Sequence, residues 1–427
     1  MHNKVASVLG SLALASLVSA VPVEKRGMIA YGDRSDHVSS WQAGQSSTAG
    51  GSNGYSSGYS ATYTSSAPYQ TSSSYGSAPP SSSDSGNNPF KFPLSNGFPN
   101  IMKGSPQLQN IQLQAHGTLP NGAAPPKPAE DDLLSLRFIA FNELWEVAFF
   151  TELLANITNN VPGYTDFKDQ EERQAIINAI TAVQAQEELH ALNANFALQA
   201  FDTPIQPCTY VAPVDNFRDA IKLAQTFTDV VLGTLPDVQT HFGQNGDNGL
   251  IRGVGSVIGQ EGEQNGFYRN LLRKIPSANP FLTASTREIA FNALNQNFIV
   301  PGSCPNINTI NLGKPFGVLT LETSADQITA KDTTLEFSIP EGDWSHYSSN
   351  PGALSLVYIN QQNVPITQAI TVTGHQDGKV HFTANFPFQE NLLFGLTIAV
   401  LAQGNSFADV VAVTNATVFG PALIEVL

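Results

Sequence analysis

Charged side chains are scarce in this sequence, and basic side chains are scarcer than acidic ones. Only 13% of the 427 residues are charged, and 20 Lys and Arg stand against 35 Asp and Glu, for a formal net charge of −15 at pH 7. A surface of this kind repels phosphate backbones, so nucleic acid is excluded as a partner. A charged fraction this low is unusual for a cytosolic enzyme and favours a secreted or wall-associated protein.

Long apolar runs are also lacking, so the sequence predicts no membrane span. The apolar run over residues 5–18 is too short to cross a bilayer, follows a lysine and ends in small residues, a pattern typical of a secretory signal peptide over residues 1–20. The pair Lys25-Arg26 resembles a processing site of fungal secretory pathways and predicts a propeptide over residues 21–26. An accidental basic pair is the alternative.

Cysteine is nearly absent, with Cys208 and Cys304 the two in the chain. In an oxidising compartment two cysteines usually pair, so we predict a disulfide; two unpaired buried thiols are the alternative. Two Asn-x-Thr sequons, at Asn156 and Asn415, are predicted glycosylation sites if the chain is secreted.

Residues 27–129 are rich in Ser, Gly, Tyr and Pro and have few aliphatic side chains. Such a composition cannot bury enough apolar surface to offset the entropy of ordering, so we expect a disordered spacer. The spacer could carry O-linked sugar, or its tyrosines could be cross-linked in a wall, and composition does not choose between these.

The rest of the chain divides into a helical part and a strand-rich part, which predicts a multidomain α + β protein. Apolar residues recur at helical spacing within 130–304, and short runs with a period of two fill 310–427, as expected for an antiparallel β-sandwich. The predicted helices lie near 131–158, 168–201, 214–241, 249–274 and 283–297. The predicted strands are 317–321, 334–339, 354–359, 369–372, 380–382, 392–401 and 410–413.

Polar residues interrupt the apolar stripe of several predicted helices at similar heights. Stepping three or four residues along each stripe places them among Ile, Leu and Val, and no Lys or Arg lies in a stripe to neutralise them. A buried carboxylate is costly unless it is paired, protonated or bound to a metal, so we expect a bound cation or shared protons. These residues are Glu143, Glu146, Glu187, His190, Glu261 and Gln264.

Two of these segments resemble motifs of the ferritin-like superfamily. Residues 141–150, Phe-Asn-Glu-Leu-Trp-Glu-Val-Ala-Phe-Phe, resemble its first-helix motif, and residues 187–190, Glu-Glu-Leu-His, resemble its second-helix Glu-x-x-His motif. With the secretory leader and the spacer, the chain resembles the fungal secreted ferritin-like family of stress-response and late-sexual-development proteins. This resemblance implies a ferritin-like four-helix bundle followed by the sandwich.

The resemblance also assigns ligand positions. Glu143 matches the first-helix ligand, with Glu146 one turn away as a second candidate, and Glu187 and His190 match the second-helix pair. Thr228 stands where a complete site has Glu, and Gln264 stands where it has His. We therefore expect an incomplete site that holds one divalent ion through Glu143 or Glu146, Glu187, His190 and Glu261. Carboxylates with imidazole accept Zn, Mn or Fe.

Several alternatives remain at this point. The polar residues could form a hydrogen-bonded relic without metal, or the helical phase could be misjudged. An active di-metal iron oxidase is the rival function, and a cell-wall scaffold or adhesin whose β domain binds polysaccharide is another. The polar and aromatic residues 343–347 suggest either a sugar-contacting loop or a plain turn. The expected function is a non-catalytic, or weakly metal-binding, secreted protein of stress or development, of unassigned oligomeric state.

Overall fold

The computed structural model describes residues 91–123 and 125–426, and helices precede strands along this part of the chain. The predicted signal peptide (1–20) and propeptide (21–26) lie outside the described residues. Within them are nine α-helices and two antiparallel sheets, so the prediction of a mixed α and β chain is confirmed. No helix in the described ranges is both long and apolar enough to cross a membrane.

Six helices come before the first strand, and five of them match predicted helices to within a few residues. Local signals set their bounds: Asp169 and Asn216 cap two N-termini by accepting hydrogen bonds from the backbone N–H of Glu172 (2.8 Å) and Asp219 (2.9 Å), and Gly246 ends one helix at φ 87°. The six are α1 (Pro106–Gln114), α2 (Glu130–Thr158), α3 (Gln170–Gln199), α4 (Phe217–Asn245), α5 (Asn248–Leu271) and α6 (Arg287–Asn297).

Helix α1 lies inside the stretch that the sequence predicts to be a disordered spacer. Ser105 caps it by accepting a hydrogen bond from Leu108 N at 3.2 Å, and Leu108 and Ile111 are buried in the core beside α3. The structure therefore differs from the predicted spacer over residues 106–114, because two well-spaced apolar residues suffice to dock a short helix on a larger one.

Helix α2 is the centre of the helical part. Every residue from 140 to 150 is buried, because α3, α4 and α6 all pack against α2. The buried surface of α2 is thus wider than the single apolar stripe that the sequence predicts, and it extends around the whole helix here. Trp145, for example, is buried and stacks on Phe298 with ring centroids 4.4 Å apart.

The two sheets have four strands each. One has the order β1 (Thr320–Leu321), β2 (Thr333–Pro340), β6 (Lys379–Phe386), β5 (Thr371–Gln376). The other has the order β4 (Ile366–Ala369), β3 (Leu354–Asn360), β7 (Gly395–Gln403), β8 (Thr417–Val426). Three short helices lie between the strands: α7 (Glu341–Trp344), α8 (Phe388–Asn391) and α9 (Val410–Ala416).

Alternation along β3 connects the helices to the sheets. Val357 and Ile359 belong to the apolar cluster of the helices, whereas Leu356 and Tyr358 share a second cluster with Phe337 of the other sheet. A strand with period two thus buries both of its faces. The described residues belong to one compact unit.

The predicted strand over 410–413 is wrong, since these residues begin α9. The Asp409 side chain accepts a hydrogen bond from Ala412 N at 2.8 Å and caps the helix. Four residues rich in Val carry a β propensity too weak to override this cap. The strand of this region, β8, starts at Thr417 instead, and it was not predicted.

The predicted disulfide is present. Cys208 and Cys304, 96 residues apart in the sequence, are bonded with their Cα atoms 4.2 Å apart. The bond joins the segment between α3 and α4 to the segment after α6. It is consistent with an extracellular protein, because disulfides persist in oxidising compartments.

Two surface predictions meet different local environments. Asn415 is exposed in α9, and Asn156 is half-buried within α2.

In the segment 343–347, Trp344 is buried at the end of α7, so its ring is not free to stack on a sugar. The plain-turn interpretation of this segment is the better supported one.

Candidate metal centre

Four predicted residues meet inside the helical part. Glu143 of α2, Glu187 and His190 of α3 and Glu261 of α5 each offer one ligand atom, and these atoms lie within 4.8 Å of one another. The three-residue spacing on α3 puts Glu187 and His190 on one face of the helix. This group could hold a metal ion.

His190 lies between the carboxylates. Its Nδ1 is 2.8 Å from Glu187 Oε2, 3.5 Å from Glu143 Oε2 and 3.8 Å from Glu261 Oε1. One ring nitrogen therefore lies near three carboxylates, which belong to α2, α3 and α5. Such convergence brings together the mixed imidazole and carboxylate donors that Zn, Mn and Fe accept.

Burial dominates the electrostatics of the carboxylates. It raises the pKa of Glu143 to about 7, an effect that the nearby His190 partly offsets. Burial also raises the pKa of Glu261 well above its ordinary value, and the charges of Glu143 and Glu187 add to this. Burial thus favours the protonated forms of Glu143 and Glu261, and a bound cation would compete with those protons.

The pKa of His190 moves in the same upward direction. Burial alone would lower it, but the charges of Glu187 and Glu143 raise it well above the ordinary value. Without metal, the imidazole therefore carries a proton and acts as the cation of the group.

Unpaired oxygens give the strongest sign that the site suits a cation. Both carboxylate oxygens of Glu261, and Oε2 of Glu143, are buried and accept no hydrogen bond within the described part of the chain. A buried acceptor without a donor costs about 1–3 kcal/mol, and more when it is charged. A bound divalent ion would satisfy these oxygens together.

Glu146 was predicted as an alternative first-helix ligand, and it lies beside this group without belonging to it. Its Oε1 accepts a hydrogen bond from Asn142 Nδ2 at 2.8 Å. Its pKa is raised well above the ordinary value by burial and by the charges of Glu187 and Glu261, so its carboxyl is an electrostatic neighbour of the site.

Gln264 and Thr228 are the two residues that the sequence predicts at degenerate ligand positions. The Gln264 amide donates a hydrogen bond to Glu187 Oε1 at 2.7 Å, and so orients that carboxylate. The Thr228 side chain on α4 is buried, and its Oγ1 has no partner among the described residues.

A cluster of glutamines beside the site was not predicted. Gln260 and Gln264 of α5 both donate to Gln186 Oε1 at 3.1 Å, and Gln186 donates to the carbonyl of Ala115 just after α1. Gln260 and Gln264 are four residues apart and share a face of α5, which is the one signal that the sequence offered. Their partner Gln186 could not be known without the tertiary packing.

A second buried carboxylate, Glu188, ties the segment before α1 to α3. Both of its oxygens accept from Asn96 Nδ2, at 2.9 and 3.0 Å, and Oε1 also accepts from Gln184 at 2.7 Å. Burial raises the pKa of Glu188 to about 7, and the hydrogen bonds from Asn96 and Gln184 lower it again in part. The pair of glutamates at 187 and 188 thus serves two separate environments.

We expect Asn96→Ala to destabilise the protein by about 2 kcal/mol, because the buried Glu188 carboxylate would then keep only the hydrogen bond from Gln184. The change also removes the acceptor of the Phe98 N–H, which bonds Asn96 Oδ1 at 3.0 Å. Urea unfolding monitored by circular dichroism measures the loss. The matched control is Asn100→Ala at an exposed position nearby, and equal stability of the two variants would contradict the role of Asn96.

Two comparisons with known proteins found no match for the chain. No protein family model matches it, and no curated protein is similar enough to be counted as related. The residues of this site and their geometry are therefore the basis of the function proposed below for the protein.

Proposed function

We propose that this protein is a secreted, ferritin-like metal-binding protein that holds one divalent ion through Glu143, Glu187, His190 and Glu261. The observation that carries the proposal is the pair of Glu261 oxygens, buried and without a donor among the described residues, facing two further glutamates and a histidine. When bound, the ion would add positive charge to a group of three carboxylates and one imidazole.

The proposed architecture is a four-helix bundle of α2 to α5 followed by a β-sandwich of the two sheets. Its support is the convergence of ligand atoms from α2, α3 and α5, and the apolar cluster that Leu356 and Phe337 share across the sheets. Secretion is proposed from the leader sequence, and the disulfide between Cys208 and Cys304 is consistent with it. A stress-related or developmental role follows from the family resemblance alone.

One ion is proposed rather than two because the ligands of a second are lacking. Thr228 and Gln264 occupy positions where a complete site has a carboxylate and an imidazole, and neither supplies a charged donor. Glu146 is one further buried carboxyl nearby. We therefore propose a binding protein without redox catalysis. The di-metal iron oxidase is the alternative, and it would require Glu146 as a ligand of the second ion.

The decisive experiment is metal analysis of the purified secreted protein after loading with Zn, Mn or Fe(II) and dialysis. We expect about one ion per chain, held more tightly at pH 7.5 than at pH 5 because protons compete for the ligands. Two irons per chain with a visible absorption band would favour the oxidase. A metal content far below one ion per chain would support the hydrogen-bonded relic and defeat the proposal.

A further inference from the structure

A cavity of about 130 Å³ lies between α4, α5, the loop that follows α5 and the start of β7. None of the four proposed metal ligands lines it. Its walls combine polar side chains on the helices with an apolar rim on the loop. The residues that line it include Asp229, Asn265, Arg269, Asn279, Phe281 and Leu282.

The helical wall of the cavity carries two polar side chains with unused hydrogen-bonding capacity. Arg269 is 3% exposed, and its Nε donates to the Ile275 carbonyl at 2.6 Å while its Nη1 has no partner within the described residues. Asn265, four residues earlier on the same face, donates to Asp229 Oδ1 at 2.8 Å, and its Oδ1 accepts from no described group. One buried donor and one buried acceptor are thus left over side by side, which is costly without a ligand or ordered water.

Charged groups of both signs lie at or near this wall. Asp229 of α4 and Glu425 of β8 lie close together, and Arg269 and Lys274 are the basic groups that act on them. Asp229 and Arg269 themselves line the cavity. A charged ligand of either sign would therefore meet a group of like charge there, which favours a neutral ligand.

The rim offers an exposed aromatic face. Phe281 lines the cavity and is 64% exposed, and Leu282 beside it is also exposed. Asn279, which also lines the cavity, donates from Nδ2 to the Phe394 carbonyl at 2.9 Å and so ties this loop to the residue before β7. Exposed apolar side chains grouped around a polar cavity are typical of a binding site rather than of plain surface.

We propose that this cavity binds one sugar ring of a neutral oligosaccharide. A hydroxyl both donates and accepts, so neighbouring hydroxyls would use the free Arg269 donor and the free Asn265 acceptor together. The apolar C–H face of the ring would pack on Phe281. The cavity is smaller than the ~300–1,000 Å³ usual for a whole small-molecule ligand, so it takes a single ring and leaves the remainder of the chain outside.

The test is calorimetric titration of the full chain with neutral oligosaccharides of glucose, mannose and N-acetylglucosamine, with and without added metal. We expect at least one series to bind, and Phe281→Ala to weaken that binding about tenfold or more while the fold is kept. Met102→Ala, at an exposed apolar residue that does not line the cavity, is the matched control and should leave the affinity unchanged.

Three results would overturn the assignment. They are an absence of binding in all three series, equal affinity of Phe281→Ala and the unchanged protein, or tighter binding of phosphate or guanidinium than of any neutral sugar. A variant with Asn265→Asp adds a negative charge next to Asp229 and should weaken sugar binding too. None of these outcomes depends on whether the metal centre binds an ion, so the two proposals stand or fall separately.

Discussion

Replacing Glu187 with Gln is expected to weaken metal binding by about a hundredfold or more, because even neighbours that only orient a ligand are worth about 10- to 100-fold. Glu187 lies closest to the imidazole, 2.8 Å from His190 Nδ1, and the Gln264 amide holds its other oxygen at 2.7 Å. An amide keeps the size of the side chain but removes its negative charge. Competition with a chromophoric chelator, followed by elemental analysis, measures the loss.

The adjoining residue supplies the matched control for this variant. Glu188 is as deeply buried as Glu187, but its oxygens face Asn96 and Gln184 rather than the other ligands. Glu188→Gln should therefore leave the metal affinity close to that of the unchanged protein. Equal metal loss in both variants would mean that general destabilisation, not ligand removal, explains the result.

A rise in melting temperature would change the interpretation of the Glu187→Gln variant. Removing one charge from a buried group of like charges can stabilise a protein when no cation is bound. If the variant melts higher than the unchanged protein and both contain the same amount of metal, the group is a hydrogen-bonded relic. If the variant loses metal and melts lower, the ion itself holds α3 and α5 together.

The fully buried residues of helix α5 are mostly polar. Its buried residues are Glu261, Gln264, Asn265, Tyr268 and Arg269, so it contributes no aliphatic side chain to the fully buried core. Several of its glycines have no neighbouring atom near the place of a Cβ, and glycine within a helix costs about 1 kcal/mol relative to alanine. Partly buried apolar side chains of α5, such as Leu250 and Val254, also pack on the core, and the polar contacts of residues such as Gln264 add to this packing.

Helical periodicity could predict which face of each helix carries polar residues. It placed Glu187 with His190 on one side of α3, because a three-residue step is about one helical turn. It could not separate Glu143 from Glu146, which are also three residues apart and both buried. The rotation and height of α2 relative to α3 decide that Glu143 Oε2 comes within 3.5 Å of the imidazole, and these depend on packing from three sides.

Contacts between segments that lie far apart in the sequence could not be predicted from local sequence patterns. Asn96 lies 92 residues from Glu188, in a stretch whose composition predicts disorder, and nothing in its neighbours marks it as a partner. The oppositely charged groups around Glu425 come together from α4, α5 and β8 only after the sheet has packed on the helices.

The metal-free protein should lose stability as the pH rises from about 5 to 8, and metal should restore much of it. Glu143 is the clearest case, because burial raises its pKa from 4.5 to about 7. A carboxyl with a higher pKa in the folded state contributes stability that is complete below the pKa of the unfolded chain and is lost as the pH passes the folded value. A shift of this size corresponds to about 3 kcal/mol.

The other groups of the site act in the same direction. Glu261 has a raised pKa, and His190, raised as well, adds stability that is lost above its folded pKa. Urea unfolding at pH 5, 6, 7 and 8, with chelator or with excess Zn, measures the effect. Bound metal replaces the protons of Glu143 and Glu261, so the free energy of unfolding should depend less on pH when metal is bound. Glu188 lies away from the ligands and has a pKa of about 7, so it should keep a residual pH dependence. A metal-free protein that becomes more stable between pH 5 and 8 would contradict the buried carboxylates on which the proposed centre depends.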